Sequence, residues 1–154
     1  MAPPARSARP QAVLFVCGVN ALRSPMASAL FKHYFGRTYV NSAGVRKGEL
    51  DPFAVSVMEE IGLDIAKHKP ITLEELEEWE GLNFDLIITL APEAHHKALD
   101  LTRTLAADVE YWRTPDPSTI EGTREQRMDA YRDVRDQLAK RIKARFGGQA
   151  GGNE

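Results

Sequence analysis

The 154-residue sequence predicts an α/β fold in which a parallel sheet is covered by helices on both faces. Two runs, the continuous apolar segment Ala12–Val16 and the mostly apolar segment Leu86–Leu90, have the length and composition of strands buried on both sides. Segments with helical spacing of apolar residues separate and follow them, which favours parallel strands joined by right-handed crossovers. The length suits one domain. We expect this three-layer α/β/α domain to span residues 12–146, between a disordered tail over 1–11 and a flexible tail over 147–154.

The first half of the chain alternates strand and helix signals. The strand Ala12–Val16 is followed by a helical pattern over Arg23–Phe35. A short strand over Tyr39–Ser42 comes next. Asp51-Pro52 then opens a helix that reaches about Gly62, because aspartate caps a helix and proline suits its first turn.

The second half repeats this alternation and ends in a long helix. Thr72-Leu73-Glu74-Glu75 is a capping box that opens a short acidic helix. The strand Leu86–Leu90 leads into a helix from Pro92 to about Leu101, and a fourth strand covers Val109–Trp112. A second capping box, Thr123-Arg124-Glu125-Gln126, starts the last helix. The inward-facing stripe of that helix consists of Met128, Tyr131, Val134, Leu138, Ile142 and Phe146.

The end of the first strand carries the residues that point to chemistry. Cys17 closes the strand, Arg23 follows in a Cys-x5-Arg spacing, and Pro25 suits the first turn of the next helix. A loop between a strand and a helix N-terminus gathers backbone N–H groups and adds the positive end of the helix dipole, so it binds anions. A thiolate is stabilised there, and a planar guanidinium can hold two oxygens of a tetrahedral anion. The alternative is a buried thiol beside a surface charge.

The segment Cys17-Gly18-Val19-Asn20-Ala21-Leu22-Arg23-Ser24-Pro25 resembles a known phosphate-binding loop. The low-molecular-weight protein tyrosine phosphatases carry Cys-x-Gly-Asn-x-x-Arg-Ser-Pro at this place. The resemblance spans about Ala12 to Phe146 and implies a four-stranded parallel sheet in the order 2-1-3-4. It also implies that Gly18, Val19, Asn20, Ala21 and Leu22 surround the phosphate.

The same resemblance assigns supporting roles to four polar residues. It implies that Ser24 hydrogen-bonds the thiolate and that Asn20 holds the loop in shape. Ser42 and His68 match positions that brace these two residues from behind, with an ordinary structural role as the alternative. Val19 stands where the family has glycine, and a positive φ at that position would strain a β-branched residue.

A second catalytic group is required, because the departing oxygen of a phosphate ester needs a proton. Asp51 and Asp116 are the candidates, and each precedes a proline. Asp51 is better explained as a helix cap. Asp116 follows the fourth strand, and ligands of parallel sheets bind at the carboxyl ends of the strands. The resemblance places the family's Asp-Pro general acid at Asp116, with turn chemistry as the alternative.

Composition narrows the possible partners. The net charge of −2 gives no attraction for nucleic acid, and no apolar run approaches membrane-spanning length. One cysteine cannot form an internal disulfide or a cysteine-rich zinc site, and it fits a reducing cytoplasm. We therefore expect a cytoplasmic protein that uses no metal or organic cofactor. Its expected substrate is a phosphorylated protein or a small aryl phosphate, with no nucleic-acid or membrane partner.

Three functions are compatible with these residues. The first is phosphomonoester hydrolysis through a cysteinyl phosphate, with Cys17 as nucleophile, Arg23 as anion clamp and Asp116 as acid. The second is arsenate reduction, because thiol-dependent arsenate reductases share this fold and loop. The thioredoxin-coupled type uses two further cysteines, so only a version with an external small thiol remains. The third is a phosphate-binding module with decayed catalysis.

The rim of the expected site departs from the family. Two tyrosines often follow the family's Asp-Pro, where this chain has Ser118-Thr119. The segment Val45–Leu50 also lacks the family's aromatic residue. Tyr111 and Trp112 are nearby but belong equally well to the core. A preference for phosphotyrosine is therefore left open, since a phenyl ring has few visible stacking partners.

Overall fold

A computed structural model describes residues 10–151, without the side chains of 148–151. Its four strands are all parallel and lie in the order β2-β1-β3-β4, which confirms the predicted α/β class and strand order. The central strand β1 pairs with β2 on one side and β3 on the other. The strands are β1 Ala12–Cys17, β2 Tyr39–Gly44, β3 Leu86–Thr89 and β4 Asp108–Tyr111.

Five α-helices cover the sheet, and a short 3-10 turn follows β4. The helices are α1 Arg23–Tyr34, α2 Pro52–Glu59, α3 Leu73–Trp79, α4 Pro92–Leu101 and α5 Arg124–Gly151, and the turn is Pro117–Thr119. Helix α5 runs to Gly151 and so includes the first five residues of the predicted C-terminal tail over 147–154. The remaining three residues of that tail, and residues 1–9 of the predicted N-terminal tail, lie outside the described residues.

The side chains of β1 divide between two apolar cores because successive residues of a strand point to opposite faces. Val13, Phe15 and Cys17 pack with α1, α2 and α5 on one face. Leu14 and Val16 pack with α3 and α4 on the other face. This burial on both sides explains why β1 is a continuous apolar run rather than an alternating one.

The predicted caps form where the sequence places them. The Asp51 carboxylate accepts a hydrogen bond from the Phe53 N–H at 2.9 Å at the start of α2. Thr72 and Glu75 form a reciprocal capping box on α3. Thr123 and Gln126 exchange the equivalent pair of bonds at the start of α5, at 2.9 and 3.1 Å. These polar side chains therefore satisfy N–H groups that a helix leaves unpaired.

Several element boundaries differ by one to three residues from the prediction. Strand β2 continues to Gly44, two residues beyond the predicted end, because Ala43 and Gly44 pair with Val16 and Cys17 of β1. Strand β4 is Asp108–Tyr111, and the indole of Trp112 turns into the core. Within residues 10–151, no helix is long and apolar enough to cross a membrane.

Candidate active site

The loop from Cys17 to Arg23 joins the central strand to α1 at the carboxyl edge of the sheet. Strands β2 and β3 lie on opposite sides of β1, so the strand order changes direction at this strand. Open α/β sheets bind ligands at the carboxyl ends of strands at such a position. Helix α1 begins after Leu22, and none of the described side chains caps it. The first N–H groups of α1 therefore remain available to an anion in the loop.

Cys17 lies at the floor of this loop and is buried, with 1% of its surface exposed. Its Sγ accepts a hydrogen bond from the Asn20 N–H at 3.3 Å. The Ser24 hydroxyl lies 2.9 Å from the same sulfur. Both groups can donate to a thiolate, and hydrogen bonds to the charged form of a thiol favour that form.

The Asn20 side chain connects the loop to three other segments of the chain. Its Nδ2 donates to the hydroxyls of Ser24 and Ser42, at 2.8 and 3.0 Å. Its Oδ1 accepts from the Ile71 N–H at 3.0 Å and contacts the His68 Nε2 at 3.0 Å. Because the Ile71 N–H can only donate, the amide orientation is fixed. The structure thus brings together four residues predicted to support the loop: Asn20, Ser24, Ser42 and His68.

Neutral His68 holds Asn20 in place through hydrogen bonds from its ring. The Oδ1 and carbonyl oxygens of Asn20 are both acceptors, so the His68 Nε2 near them carries the proton. Burial lowers the pKa of His68 below its ordinary value, and the bond to the Asn20 carbonyl opposes this shift in part. A neutral imidazole with a proton on Nε2 is therefore the form that fits this network.

The left-handed residue of the loop is Asn20, with φ of 58°, and not Val19. The strain expected at Val19 is therefore absent, and asparagine is among the residues that tolerate this conformation best. Gly44 is the position that needs glycine. A Cβ at residue 44 would lie 2.7 Å from the Val19 carbonyl carbon and 2.8 Å from the Asn20 nitrogen.

Arg23 is held between the loop and the segment after β4. Its Nη1 donates to the Thr114 carbonyl at 2.9 Å, and its Nη2 lies 3.9 Å from the Asp116 Oδ2. Its side chain is 13% exposed. The guanidinium is therefore anchored at one nitrogen, and its other N–H groups remain close to the hollow of the loop.

Asp116 lies beside Arg23, where the loop after β4 leads into the Pro117–Thr119 turn. Its Oδ1 accepts from the Ser118 N–H at 3.0 Å and from the Ser118 hydroxyl at 2.6 Å. This is the turn chemistry that the sequence offered as an alternative. It leaves Oδ2 directed toward Arg23, with the side chain 39% exposed.

A pocket of about 430 Å³ opens above Cys17, and both Asp-Pro carboxylates line it. Asp51 therefore borders the candidate site in addition to capping α2. Its N–H donates to the Ala21 carbonyl of the loop, at 3.0 Å. Its Oδ2 accepts from the Tyr131 hydroxyl at 2.5 Å, while its Oδ1 caps α2. Burial and the bond to Asp51 raise the pKa of Tyr131.

The sequence did not indicate three side chains of the pocket wall: Phe53, Arg127 and Tyr131. Tyr131 was assigned correctly to the buried stripe of α5, but its hydroxyl reaches the pocket. Trp112 is buried in the core, and Tyr111 stacks on His95 with ring centroids 4.7 Å apart. Neither of these two aromatic residues is among the residues described as lining the pocket. The aromatic residues that line the pocket are instead Phe53 and Tyr131.

Within residues 10–151, no group of three or more histidine, cysteine, aspartate or glutamate side chains is placed to hold a metal ion. The arrangement described above combines a buried thiol, a set of N–H groups, a guanidinium and a half-exposed carboxylate. Such a set can bind a tetrahedral oxyanion, attack its central atom and transfer a proton to a departing oxygen.

Comparison with known proteins relates this arrangement to two groups of enzymes. A sequence model of the family "low molecular weight phosphotyrosine protein phosphatase" matches residues 12–147. The arsenate reductase of Halalkalibacterium halodurans is 36% identical over 135 residues, which covers 85% of this chain and 91% of the relative. The solved arsenate reductase of Archaeoglobus fulgidus is 30% identical with a TM-score of 0.66, covering 88% of this chain and 98% of the other.

A tyrosine phosphatase of known structure has the same fold. The Erwinia amylovora tyrosine phosphatase amsI superimposes with a TM-score of 0.73 at 20% identity, covering 92% of this chain and 94% of the other. This likeness concerns the fold alone. The sequence and structural relatives therefore include both phosphatases and arsenate reductases.

Proposed function

The chain belongs to the low molecular weight phosphotyrosine protein phosphatase family, and on that premise we propose that it hydrolyses phosphate monoesters through a cysteinyl phosphate. The observation that carries the proposal is the position of Asp116. Its free oxygen lies 3.9 Å from Arg23, in the pocket that Cys17 also lines. A carboxyl group at this place can deliver a proton to a leaving oxygen as the sulfur attacks from the floor.

In the first step, the Cys17 thiolate attacks phosphorus. A P–S bond forms, the P–O bond to the leaving group breaks, and Asp116 transfers its proton to the departing oxygen. Charge spreads over the three equatorial oxygens of the phosphoryl group. The loop N–H groups and the free N–H groups of Arg23 stabilise that charge, in a site that already holds them in place.

In the second step, water attacks phosphorus from the side that the leaving group has vacated. The P–S bond breaks, inorganic phosphate forms, and Cys17 returns to the thiolate. Asp116, now ionised, accepts the proton of the attacking water and is ready for another cycle. The hydrogen bonds from Ser24 and Asn20 to the sulfur favour this step, because they stabilise the leaving thiolate.

Arsenate reduction is the second candidate, because a 36% identical relative is named an arsenate reductase. Reduction of arsenate to arsenite takes two electrons, which two thiols supply when they are oxidised to a disulfide. This chain has one cysteine. An arsenate reductase built on Cys17 therefore needs an external thiol to attack the sulfur that carries arsenic, and a further thiol to reduce the resulting mixed disulfide.

An assay of both reactions separates these candidates and the decayed binding module. We expect the wild-type protein to release phosphate from p-nitrophenyl phosphate and phosphotyrosine, and Cys17→Ser to bind phosphate without turnover. The serine hydroxyl is too weak an acid to ionise where a thiolate can. Arsenite production from arsenate with glutathione, in a protein that does not hydrolyse either ester, would favour the reductase instead. Phosphate binding with neither reaction would favour the binding module.

A further inference from the structure

Two arginines at the start of α5 lie over the ring of Phe53. The guanidinium carbon of Arg127 is 4.6 Å from the ring centroid, and that of Arg124 is 5.1 Å away. The two arginines are three residues apart on the helix, which places them on one face. Because Phe53 and Arg127 line the pocket above Cys17, this face borders the space that a leaving group would occupy.

These two cations have no carboxylate partner among the described residues. Neither guanidinium forms an ion pair within 4.0 Å in residues 10–151, although both lie beside a pocket that three carboxylates line. Cations at a helix start also oppose the helix dipole, so the charge of these arginines does not itself stabilise α5, and their stabilising contact is the stacking on Phe53. A guanidinium stacked on a ring keeps its N–H edge free for an incoming anion.

The carboxylates of the pocket do not offset this charge equally. Both oxygens of Asp51 are engaged, by the Phe53 N–H and the Tyr131 hydroxyl. Asp116 is bound to Ser118 and faces Arg23. Glu49 is the remaining carboxylate that lines the pocket. Asp51 keeps its negative charge when neutral groups donate to it, so the two guanidiniums do not give the pocket a net positive charge; they are distinguished by N–H edges that no carboxylate among residues 10–151 occupies.

We propose, building on the phosphatase activity proposed above, that the substrate is an acidic phosphopeptide segment. In this assignment the phosphorylated side chain enters the pocket above Cys17. A carboxylate of a neighbouring peptide residue binds the free N–H edges of Arg127 and Arg124 beside Phe53. Arginine binds a carboxylate through two parallel hydrogen bonds, which gives the rim a preference among phosphorylated sequences.

Three phosphotyrosyl peptides that differ only in the flanking residues test this assignment. One carries glutamates, the second glutamines and the third lysines, and kcat/KM is measured by phosphate release. We expect the glutamate peptide to exceed the glutamine peptide by about five- to tenfold, and the lysine peptide to fall below both. High salt should reduce this ratio, because exposed charges are screened.

Variants then locate the preference. In Arg124→Ala/Arg127→Ala the glutamate-to-glutamine ratio should fall to about one, and Arg127→Glu should favour the lysine peptide. Both peptides are measured with the same enzyme preparation, so a general loss of folded or active protein lowers both kcat/KM values equally and leaves their ratio unchanged. Arg37→Ala is the matched control, because Arg37 is exposed between α1 and β2 at the opposite edge of the sheet. It should keep the wild-type ratio.

Two results would overturn the assignment while leaving the phosphatase proposal intact. One is an unchanged ratio in the double variant. The other is a wild-type preference for the lysine peptide that Glu49→Gln removes, which would make Glu49 the dominant rim charge. Hydrolysis of p-nitrophenyl phosphate by the same preparations reports the proposed chemistry separately. If that ester is not hydrolysed, the phosphatase proposal itself fails.

Discussion

Arg23 joins the loop after β4 to the anion-binding loop through one planar group. Its Nη1 is occupied by the Thr114 carbonyl at 2.9 Å, so the remaining N–H groups are oriented by that bond. A lysine ammonium carries its three donors on one nitrogen, so it cannot bind this carbonyl and also present two parallel N–H groups to a phosphate. We predict that Arg23→Lys lowers kcat on p-nitrophenyl phosphate by about 10²–10³-fold, as the loss of other preorganised donors does.

The control for Arg23→Lys is Arg113→Lys, a substitution of an exposed arginine elsewhere in the chain that forms no ion pair among the described residues. It should keep the wild-type kcat. Thermal unfolding of both variants shows whether a loss of activity reflects misfolding. Near-normal kinetics of Arg23→Lys would mean that this side chain has only a structural role.

The two Asp-Pro aspartates offer a second comparison at the level of single residues. A proton donor matters most when the leaving group is poor. We predict that Asp116→Asn slows phosphotyrosine hydrolysis by at least about tenfold more than p-nitrophenyl phosphate hydrolysis. It should also remove the limb of the pH–rate profile that reports the acid.

Asp51→Asn is the matched variant in the same pocket. Asparagine caps a helix about as well as aspartate, and its amide can donate to the Tyr131 hydroxyl where the carboxylate accepted from it. We expect small and equal effects on both substrates, measured as kcat across pH. A loss that depends on the leaving group in Asp51→Asn, and not in Asp116→Asn, would reverse the assignment of the acid.

At the scale of elements, the loop after β2 holds the anion-binding loop from behind. The N–H groups of Val45 and Arg46 both donate to the Gly18 carbonyl at 2.8 Å. Gly44 approaches the Val19 and Asn20 backbone so closely that a Cβ has no space there. Both neighbours are main-chain atoms, which cannot rotate away as a flexible side chain can.

We therefore predict that Gly44→Ala shifts the loop and lowers kcat by about 10²-fold, since a small misplacement of reacting groups has that effect. Gly147→Ala is the control, because a Cβ at that position of α5 meets no atom within 4 Å. It should leave kcat unchanged and stabilise the protein by about 0.5–1 kcal/mol, because alanine is a better helix former. Wild-type kinetics in Gly44→Ala would show that the loop tolerates displacement.

For the whole molecule, the class of the fold could be predicted because its causes are local. Strands such as Ala12–Val16 are buried on both faces and so carry no polar residues. The Cys17–Pro25 segment likewise encodes its strand, loop and helix start in consecutive residues. Strand order has no such local signal, and it was implied by the family resemblance alone.

The walls of the pocket could not be predicted, because they depend on packing between distant parts of the chain. Tyr131 and Asp51 are 80 residues apart, and their contact exists only once α5 lies beside α2. Helical periodicity placed Tyr131 in the core without indicating where its hydroxyl points. The same limit applies to Arg127 and Phe53, whose stacking joins two first turns that no sequence pattern relates.

The contacts between the end of α2 and helix α5 also make the stability of the fold depend on pH. Glu60 accepts hydrogen bonds from Arg132 and contacts Arg135, at distances of 2.8 to 3.1 Å. The bonds from Arg132 lower the pKa of Glu60 from 4.5 to about 2, against an opposing effect of burial. The unfolded chain takes up this proton near pH 4.5 and the folded chain near pH 2. The stabilisation is therefore present above pH 4.5 and is lost as pH falls toward 2.

His68 adds a second and separate window. Burial lowers its pKa from 6.5, so the unfolded chain binds a proton before the folded chain does. The contribution of neutral His68 to folding stability is present above pH 6.5. It is lost as the pH falls through the lowered pKa of the folded state. The two groups therefore act in the same direction, and we expect the unfolding temperature to fall in two stages as the solution is acidified.

Glu60→Gln isolates the lower stage. We predict that it reduces the unfolding temperature by about 1–4 °C at neutral pH, the range expected for a partly exposed ion-pair cluster. The difference from wild type should shrink as pH falls below 4.5, because the wild-type carboxylate then loses its advantage. The measurement is thermal unfolding followed by circular dichroism from pH 7 to pH 3. Glu59→Gln is the control, since the Glu59 side chain forms no ion pair among residues 10–151. A difference that stays constant with pH would show that Glu60 stabilises the contacts between α2 and α5 through packing rather than through its charge.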